Sequence, residues 1–581
     1  MIHSVPGRPS QMEHNMHTHA TVILLFALAV PVSTVFGVSP KATALYERVE
    51  EAMTNDTAFD NPFTDTELRL EVTAPEGRKL GSRFRWYGFH DGDGKGGQKG
   101  KVWKFRLLLD CPGTWNVTAG FYKPGTDTAN GPTKTFSYTV SDKPIRPNEH
   151  GHVRIDPRNP MRFAFDDGTP WVPFSVHASM LLDRDDFGTV KQWIDEHLRR
   201  GVDAMAVRFH AEGDGHQKRF GDVRHIHYLG ADGKRSNNNN NLDFTRFDVA
   251  TWRHYEKAVN YAQQRGVKLF IWFGVSAINE QYHAYGPRDN TNTDIGPGQK
   301  RLIRYFLARW GAYTCWWHWT VCSEWNERRH TKEAQIVFAR ALRDQNPWRT
   351  LISNHSLGDW ELNGTKDGWG LATLQKRIKD NDGATIEGSK GAIEHNDGHG
   401  IPVFNEEGVW CLNPTRTRVA TLSHLFAGGY SHFATYVKED KTTSSSWHAD
   451  WDTVTSAHKE AVPPLGKLNR FFNREDIDIN PARPAHDLVS VEGGGMAMCL
   501  ADPGKQYYLW ISKGGDVSLD LSGVEGAYEA VLYRGDDLPA EGGGTDLGTF
   551  AGGKVAKLGA TPKKGYGNDY VIVLKRVKSK P

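Results

Sequence analysis

The chain reads as a multi-domain protein, with a central (β/α)8 TIM barrel flanked by an N-terminal and a C-terminal all-β sandwich. Three observations predict this. Between about residues 150 and 475, eight short apolar runs alternate with helical patterns, the signature of a parallel sheet with crossover helices. On either side, period-two alternation is broken by Pro-Gly and Gly-rich turns, as in sandwiches. No phosphate-binding glycine fingerprint follows an early strand, which disfavours the rival doubly wound nucleotide-binding sheet. At 581 residues, 38% hydrophobic and 24% charged, the chain has room for three or four domains and a large packed core.

Residues 1–40 read as a secretory leader. The apolar run from Val22 to Val30 is followed by Pro31 and small residues up to Gly37. A membrane span needs about 20 apolar residues, so this run is too short to cross and fits a signal h-region. The region before it is long and His-rich, with Arg8 its one firm positive charge, and Met16 is an alternative start. The expected localisation is secreted or periplasmic, with no membrane association after cleavage. Residues 43–142 form the first sandwich. Leu68, Leu70 and Val72 alternate with charged residues; so do Trp103, Phe105, Leu107 and Leu109, then Phe136, Tyr138 and Val140. A Pro- and charge-rich linker follows, from Ser141 to His152.

The barrel spans 150–475. Its expected strands are 171–176, 204–209, 268–273, 317–322, 350–353, 370–374, 402–404 and 431–435. The clearest helix is 248–265, where Phe247, Trp252, Tyr255, Val259 and Ala262 recur at helical spacing and Gly266 sits at the C′ position. A second helix, from Thr331 to Asp344, is stopped by Pro347. The run Asn237 to Asn241 is low in complexity and belongs to a long loop after the second strand. Residues 483–581 return to strands at 507–511, 517–521, 530–533 and 570–574, a second sandwich.

Two segments carry the chemistry. Trp316-Trp317-His318-Trp319-Thr320-Val321-Cys322-Ser323-Glu324-Trp325-Asn326-Glu327 and Ile401-Pro402-Val403-Phe404-Asn405-Glu406-Glu407-Gly408 are each an apolar strand that stops at acid. Barrel enzymes place their chemistry where strands end. A pair of carboxylates across one pocket is the minimum equipment for glycosidic hydrolysis, one protonated to serve the leaving oxygen and one ionised to attack or to activate water. Glu324 and Glu407 are 407 − 324 = 83 residues apart, about three βα units, which puts the two strand ends across the mouth from each other. A lone Glu at a strand end is more often a surface acid; the paired placement favours function.

The segment from Trp319 to Glu324 is similar to the fourth-strand motif of the clan A retaining glycoside hydrolases, an aromatic followed five places on by the acid/base. Pro402-Val403-Phe404-Asn405-Glu406-Glu407 resembles their seventh-strand motif, with the nucleophile five places after Pro. The resemblance implies Glu324 as acid/base and Glu407 as nucleophile. Ser323 stands where the clan usually has Asn, so Asn326-Glu327 is an alternative register, and Glu406 is the alternative to Glu407. Ala206-Val207-Arg208-Phe209 resembles the second strand, whose Arg binds the nucleophile and keeps it ionised. Asp166-Asp167-Gly168-Thr169-Pro170-Trp171 is similar to the entry of the first strand in secreted barrels that include apiosidase-like enzymes, which often carry a β-sandwich in front and a small β-domain behind.

Candidate substrate-binding residues are Arg208, His177, His210, Asn354, His355, Trp325, Trp410 and Tyr430. The histidines end the first, second and fifth strands, and among 19 Trp, those lining a cleft would offer flat faces to sugar rings. Basic clusters (Lys218, Arg219, Arg224, Lys234, Arg235; Arg328, Arg329, Lys332; Lys376, Arg377) fall at the rim by barrel topology and suit a sulfated or uronate-containing glycan, or are a solvated surface. Five Cys (Cys111, Cys315, Cys322, Cys411, Cys499) match no zinc spacing and read as mostly free, buried thiols. The stretches Arg224-His225-Ile226-His227 and His395-Asn396-Asp397-Gly398-His399 lack a carboxylate frame, so neither a metal nor another cofactor is expected. A net charge of +2 argues against nucleic acid, and the absence of a Gly-x-Ser-x-Gly elbow disfavours a serine esterase. The expected partner is a carbohydrate polymer or oligosaccharide, cleaved by double displacement. The alternatives are a non-catalytic glycan-binding barrel and a polysaccharide lyase with a Tyr or His base.

Overall fold

The structure is a computed structural model. It describes residues 39–209, 226–236, 241–273, 293–321, 331–357, 369–376, 400–410, 413–435, 443–493, 495–539 and 541–578, with 387, 388, 390, 391 and 393 between them. The leader, His210, Glu324, Trp325, Glu327 and most of the Asn run lie outside the described residues.

At the centre is a parallel sheet of Ser175–His177, Ala204–Arg208, Lys268–Trp272, Trp316–Thr320, Leu351–Ser353, His355–Leu357, Ala372–Gln375, Val403–Trp410 and Tyr430–Ala434, hydrogen-bonded in chain order, with the last strand back against the first. Leu351–Ser353 pairs only with the fourth strand and His355–Leu357 only with the sixth. These two pieces, separated by Asn354 alone, are one interrupted fifth strand. Counted so, the sheet is a nearly closed eight-stranded barrel, and each of the eight expected runs contributes to it. The first strand needs a correction. Pro170–Trp171 pairs with Asn159–Phe165 in a separate antiparallel sheet, and the barrel strand begins only at Ser175. Pro173 lies between and has no N–H to carry a ladder through.

That small sheet (Val153–Asp156, Asn159–Phe165, Pro170–Trp171) plugs the floor. The Phe163 ring meets Trp317 at 5.5 Å and Tyr430 at 5.0 Å, both near the starts of their strands. A register shift in the fourth strand, where Leu269 faces Trp316 and Phe270 faces His318, leaves Trp317 as an extra residue, and both Trp317 and His318 point to the axis.

The helices are cut where local chemistry cuts them. Val249–Arg265 starts at Asp248, whose carboxylate accepts from the N–H groups of Ala250 and Thr251, and stops at Gly266 with φ 75°. Lys332–Gln345 starts at Thr331, which accepts from Ala334 N–H. The N-terminal sandwich has a five-stranded and a three-stranded sheet, and the C-terminal one a six-stranded and a three-stranded sheet.

The N-terminal sandwich is bolted to the barrel by buried charge. Arg106 donates to Glu256 (2.8 Å) and to the carbonyl of Arg309 (2.7 Å), while Arg309 donates to Glu256 and to Asp91, each at 2.8 Å. Burial works to raise the Glu256 carboxyl, but the two guanidiniums prevail and hold it at about 2. At the other end Arg418 reaches Asp569 of the C-terminal sandwich. Cys111, Cys315 and Cys499 are free thiols; Cys322 and Cys411 are outside the described residues.

Candidate active site

The site is built on the seventh strand. Phe404 points to the axis, against Trp317 and Phe270. Asn405 points outward, where its amide accepts from Lys376 N–H (2.9 Å), donates to Lys376 carbonyl (3.1 Å) and meets His424 Nε2 (2.8 Å). Glu406 points inward again. Simple alternation would then turn Glu407 out, but the ladder to the eighth strand breaks between Asn405 and Val409, and Glu407 adopts φ 53°. A non-glycine residue in this left-handed region costs about 1–2 kcal/mol. Gly408 is required behind it, since a Cβ there would lie 2.1 Å from the Asn405 amide nitrogen. The bulge therefore turns two consecutive carboxylates to the inside of the barrel.

Glu407 is held by the first and second strands. His177 Nε2 lies 2.9 Å from its Oε1, and Arg208 Nη2 lies 3.8 Å from the same oxygen. A carboxylate only accepts, so the His177 proton facing it is on Nε2, and Ser179 Oγ stands 3.0 Å from Nδ1. Trp447, on the short 3-10 turn Ser446–His448, stacks on the His177 ring at 4.7 Å and 7°. The Arg208 guanidinium lies 4.0 Å from the Trp447 ring centre and 5.1 Å from that of Trp272. The ring and the histidine hold Arg208 and Glu407 in place.

Glu406 is completely buried, one layer deeper. Trp272 Nε1–H donates to Oε2 at 2.8 Å; Thr320 Oγ1 (3.2 Å) and His318 Nε2 (3.0 Å) meet Oε1. His355 Nδ1 is 3.6 Å from Oε2. Burial, against the hydrogen bonds of Trp272 and Thr320 and with the charge of Glu407 adding to it, pushes the Glu406 carboxyl up to about 8. His318 goes the other way: burial, then His432, lowers it far below the imidazole range, so it is neutral. The two adjacent acids thus differ in kind. One is a neutral acid packed into the barrel, and the other is met by an arginine and a histidine at the mouth.

The structure brings Arg208, His177, Glu406, Glu407 and His355 into this one region, with His355 beside Glu406 rather than Glu407. Trp410 ends the seventh strand, half-buried. Two expected substrate-binding residues are corrected. Tyr430 is the first residue of the eighth strand and packs on Phe163 at the floor, the opposite end from the carboxylates. The Asn354 amide turns outward to Gln335 on the helix Lys332–Gln345, and its carbonyl accepts from Thr373. Both follow from strand direction and alternation, which reading the ends of runs does not resolve. Of the basic clusters, Arg235 is paired with Asp248 at 3.2 Å, and Lys218, Arg219, Arg224, Arg328, Arg329 and Arg377 lie outside the described residues. Among the described residues no group of three or more His, Cys, Asp or Glu could hold a metal ion. Sequence reasoning missed Trp272, Thr320 and Trp447. Trp272 shares a face with Phe270 by alternation, a usable signal, but nothing local marks Trp447.

Comparison with known proteins concerns the fold. Residues 43–122, within the N-terminal sandwich, match a family described as "Domain of unknown function (DUF5060)". No curated protein matches the sequence. The chain is similar to a solved structure from Bacteroides vulgatus ATCC 8482 described as a "putative glycoside hydrolase", at 15% identity and TM-score 0.65, covering 92% of this chain and 100% of that one. It is also similar to a glycoside hydrolase family 5 structure from the same organism, at 14% identity and TM-score 0.53, with 74% and 94% of the chains covered. A third, described as "Glycoside hydrolase", matches at 13% identity and TM-score 0.55, with 75% and 99% covered. The chain thus has the barrel-and-sandwich fold found in structures described as glycoside hydrolases.

Proposed function

We propose that the protein is a secreted glycoside hydrolase that cleaves a polysaccharide or oligosaccharide with retention. Glu407 attacks the anomeric carbon as the bond to the leaving oxygen breaks, and Glu324 gives that oxygen its proton. A covalent glycosyl-enzyme results. Glu324 then takes a proton from water, whose oxygen attacks the same carbon and frees Glu407. Arg208 and His177 stabilise the Glu407 carboxylate while it waits and as it departs.

The observation that carries this reading is Glu407 itself. A strained carboxylate, at the C-terminal end of a barrel strand and gripped by Arg208 and His177, is placed at a cost that packing alone does not explain. The likeness in fold to structures described as glycoside hydrolases, and the resemblance of the fourth- and seventh-strand segments to clan A motifs, point the same way.

The test is to incubate the full chain with neutral and uronate- or sulfate-rich polysaccharides. The expected outcome is released oligosaccharides whose newly formed reducing ends keep the configuration of the cleaved bond in early NMR spectra. Binding without release would favour a glycan-binding barrel, unsaturated ultraviolet-absorbing ends a lyase, and inverted ends would remove Glu407 as nucleophile. Turnover that falls with salt on an anionic member of the set would identify a charged substrate.

A further inference from the structure

We propose that Gln375 reads two neighbouring hydroxyls of the sugar held against Glu407. This rests on the hydrolase reading above and assigns that site a specificity-determining residue.

Gln375 ends the sixth strand, Ala372–Gln375. Its direction follows from register. Thr373 pairs with Phe404 on one side and with His355 on the other, and both of those face the axis. Two residues on, Gln375 faces the axis as well, one layer nearer the mouth. Leu374 pairs with Asn405, so Gln375 stands beside Glu406, with Glu407 next along the seventh strand.

Its polar atoms set it apart. The residue is 2% exposed, and neither the amide nitrogen nor the amide oxygen has a hydrogen-bond partner among the described residues. The neighbouring polar side chains are engaged: Glu406 with Trp272, His318 and Thr320, Thr320 with Ser353, and Glu407 with His177. A buried carboxamide left without partners is destabilising, and a leucine of similar volume would fill the space without that penalty. Retaining glutamine is explained if its partners arrive with a ligand.

The position is also rigid. The outward Asn405 amide clasps both backbone groups of Lys376, the residue that follows, and is itself met by His424. The Gln375 side chain is thus presented from a pinned backbone. A carboxamide offers one acceptor and one NH2 donor on adjacent atoms, the complement of a vicinal diol, in which one hydroxyl donates and its neighbour accepts. Being uncharged, it gives no advantage to a carboxylate or sulfate at that position of the sugar. The ligand class is therefore a glycosyl unit with two free adjacent hydroxyls where it meets the sixth strand.

The test uses the full-length protein with Gln375→Leu and, as a second volume-matched change, Gln375→Met. Wild type is screened on 4-nitrophenyl glycosides of glucose, mannose, galactose, xylose and glucuronic acid and on mixed plant and algal polysaccharides. The variants are assayed on whatever it turns over, and the monodeoxy forms of that glycoside on wild type. The expected result is a kcat/KM lower by about 30-fold or more in both variants, with a melting temperature equal to or above that of wild type. Removal of either of two adjacent hydroxyls from the substrate should cost wild type more than it costs Gln375→Leu. Variants within twofold of wild-type kcat/KM, or variants that melt several degrees lower and lose activity only in proportion, would overturn the proposal while leaving the hydrolase reading intact. Absence of wild-type turnover across the set would overturn both.

Discussion

At the floor of the barrel, Phe163, Trp171, Trp317 and Tyr430 close the axis with rings, edge to face or tilted, at 5.0–6.3 Å. At the mouth, four of the same strands bring Glu406, Glu407, His177, Arg208 and Gln375. The floor gains by burying apolar area, and aromatic pairs add about 0.5–1.5 kcal/mol each beyond it. The mouth holds a carboxyl kept neutral by burial, a glutamate in the left-handed region and an unpartnered amide, each a cost. The contrast separates what holds this fold together from what the fold holds in place.

The largest effect should come from the mouth. Glu407→Gln is expected to lower kcat by about 10^3-fold or more, with the melting temperature within a few degrees of wild type. A variant that stays active would move the chemistry off this residue. At the floor the balance reverses. Phe163→Ala should cost about 3–5 kcal/mol of unfolding free energy in urea titration, with kcat/KM at 25 °C close to wild type. Loss of turnover without loss of stability there would erase the distinction between the ends.

A smaller effect concerns the imidazoles. Seven described histidines, His90, His152, His197, His318, His424, His432 and His458, are pulled down chiefly by burial, His197 and His424 to about 4. Below the ordinary pKa of 6.5 the unfolded chain takes up protons that these sites refuse, so it binds more protons than the native state and stability falls with pH. Three acids raised by burial act in the opposite sense, Glu406 between pH 8 and 4.5, Asp203 between pH 6 and 3.8, and Asp110 just above 3.8, but they are three against seven. The urea midpoint is expected to drop steadily from pH 6.5 to about 4; a flat profile would contradict neutral burial.

At the mouth, a much smaller effect on turnover than that of Glu407→Gln is expected of Glu406→Gln, which keeps the shape of a protonated carboxyl. Activity at pH 7 should stay within about tenfold of wild type. Wild type gives up stability as pH rises from 4.5 toward 8, because only its unfolded state releases this proton. The variant should therefore melt progressively higher than wild type across that interval. A constant difference would mean that Glu406 is ionised in the folded protein.

Most of this architecture could be seen in the amino-acid order. Eight apolar runs in a βα rhythm, without a phosphate-binding glycine fingerprint, favour a barrel over a doubly wound sheet, and the caps at Asp248, Gly266 and Thr331 are local chemistry. The acid-tipped seventh strand was visible for the same reason, its carboxylates following directly on an apolar run. What escaped was non-local or irregular. Tyr430 looked like a strand-end residue because a run has two ends and only chain direction says which is the mouth. The bulge that turns both Glu406 and Glu407 inward has no signature except Gly408. Trp447 reaches His177 through a turn with no periodicity, and the inward direction of Gln375 follows only from register.

The knot of Arg106, Glu256, Arg309 and Asp91 bears on how the gene could be cut. Glu256 and Arg309 sit on barrel helices, while Arg106 and Asp91 come from the sandwich in front. Deleting the sandwich would leave Glu256 and Arg309 with only each other and wet the apolar surface that Trp86 and Phe89 cover, so the barrel is no interchangeable cassette, and a shortened clone starting near residue 150 should yield inclusion bodies rather than a leaner catalyst.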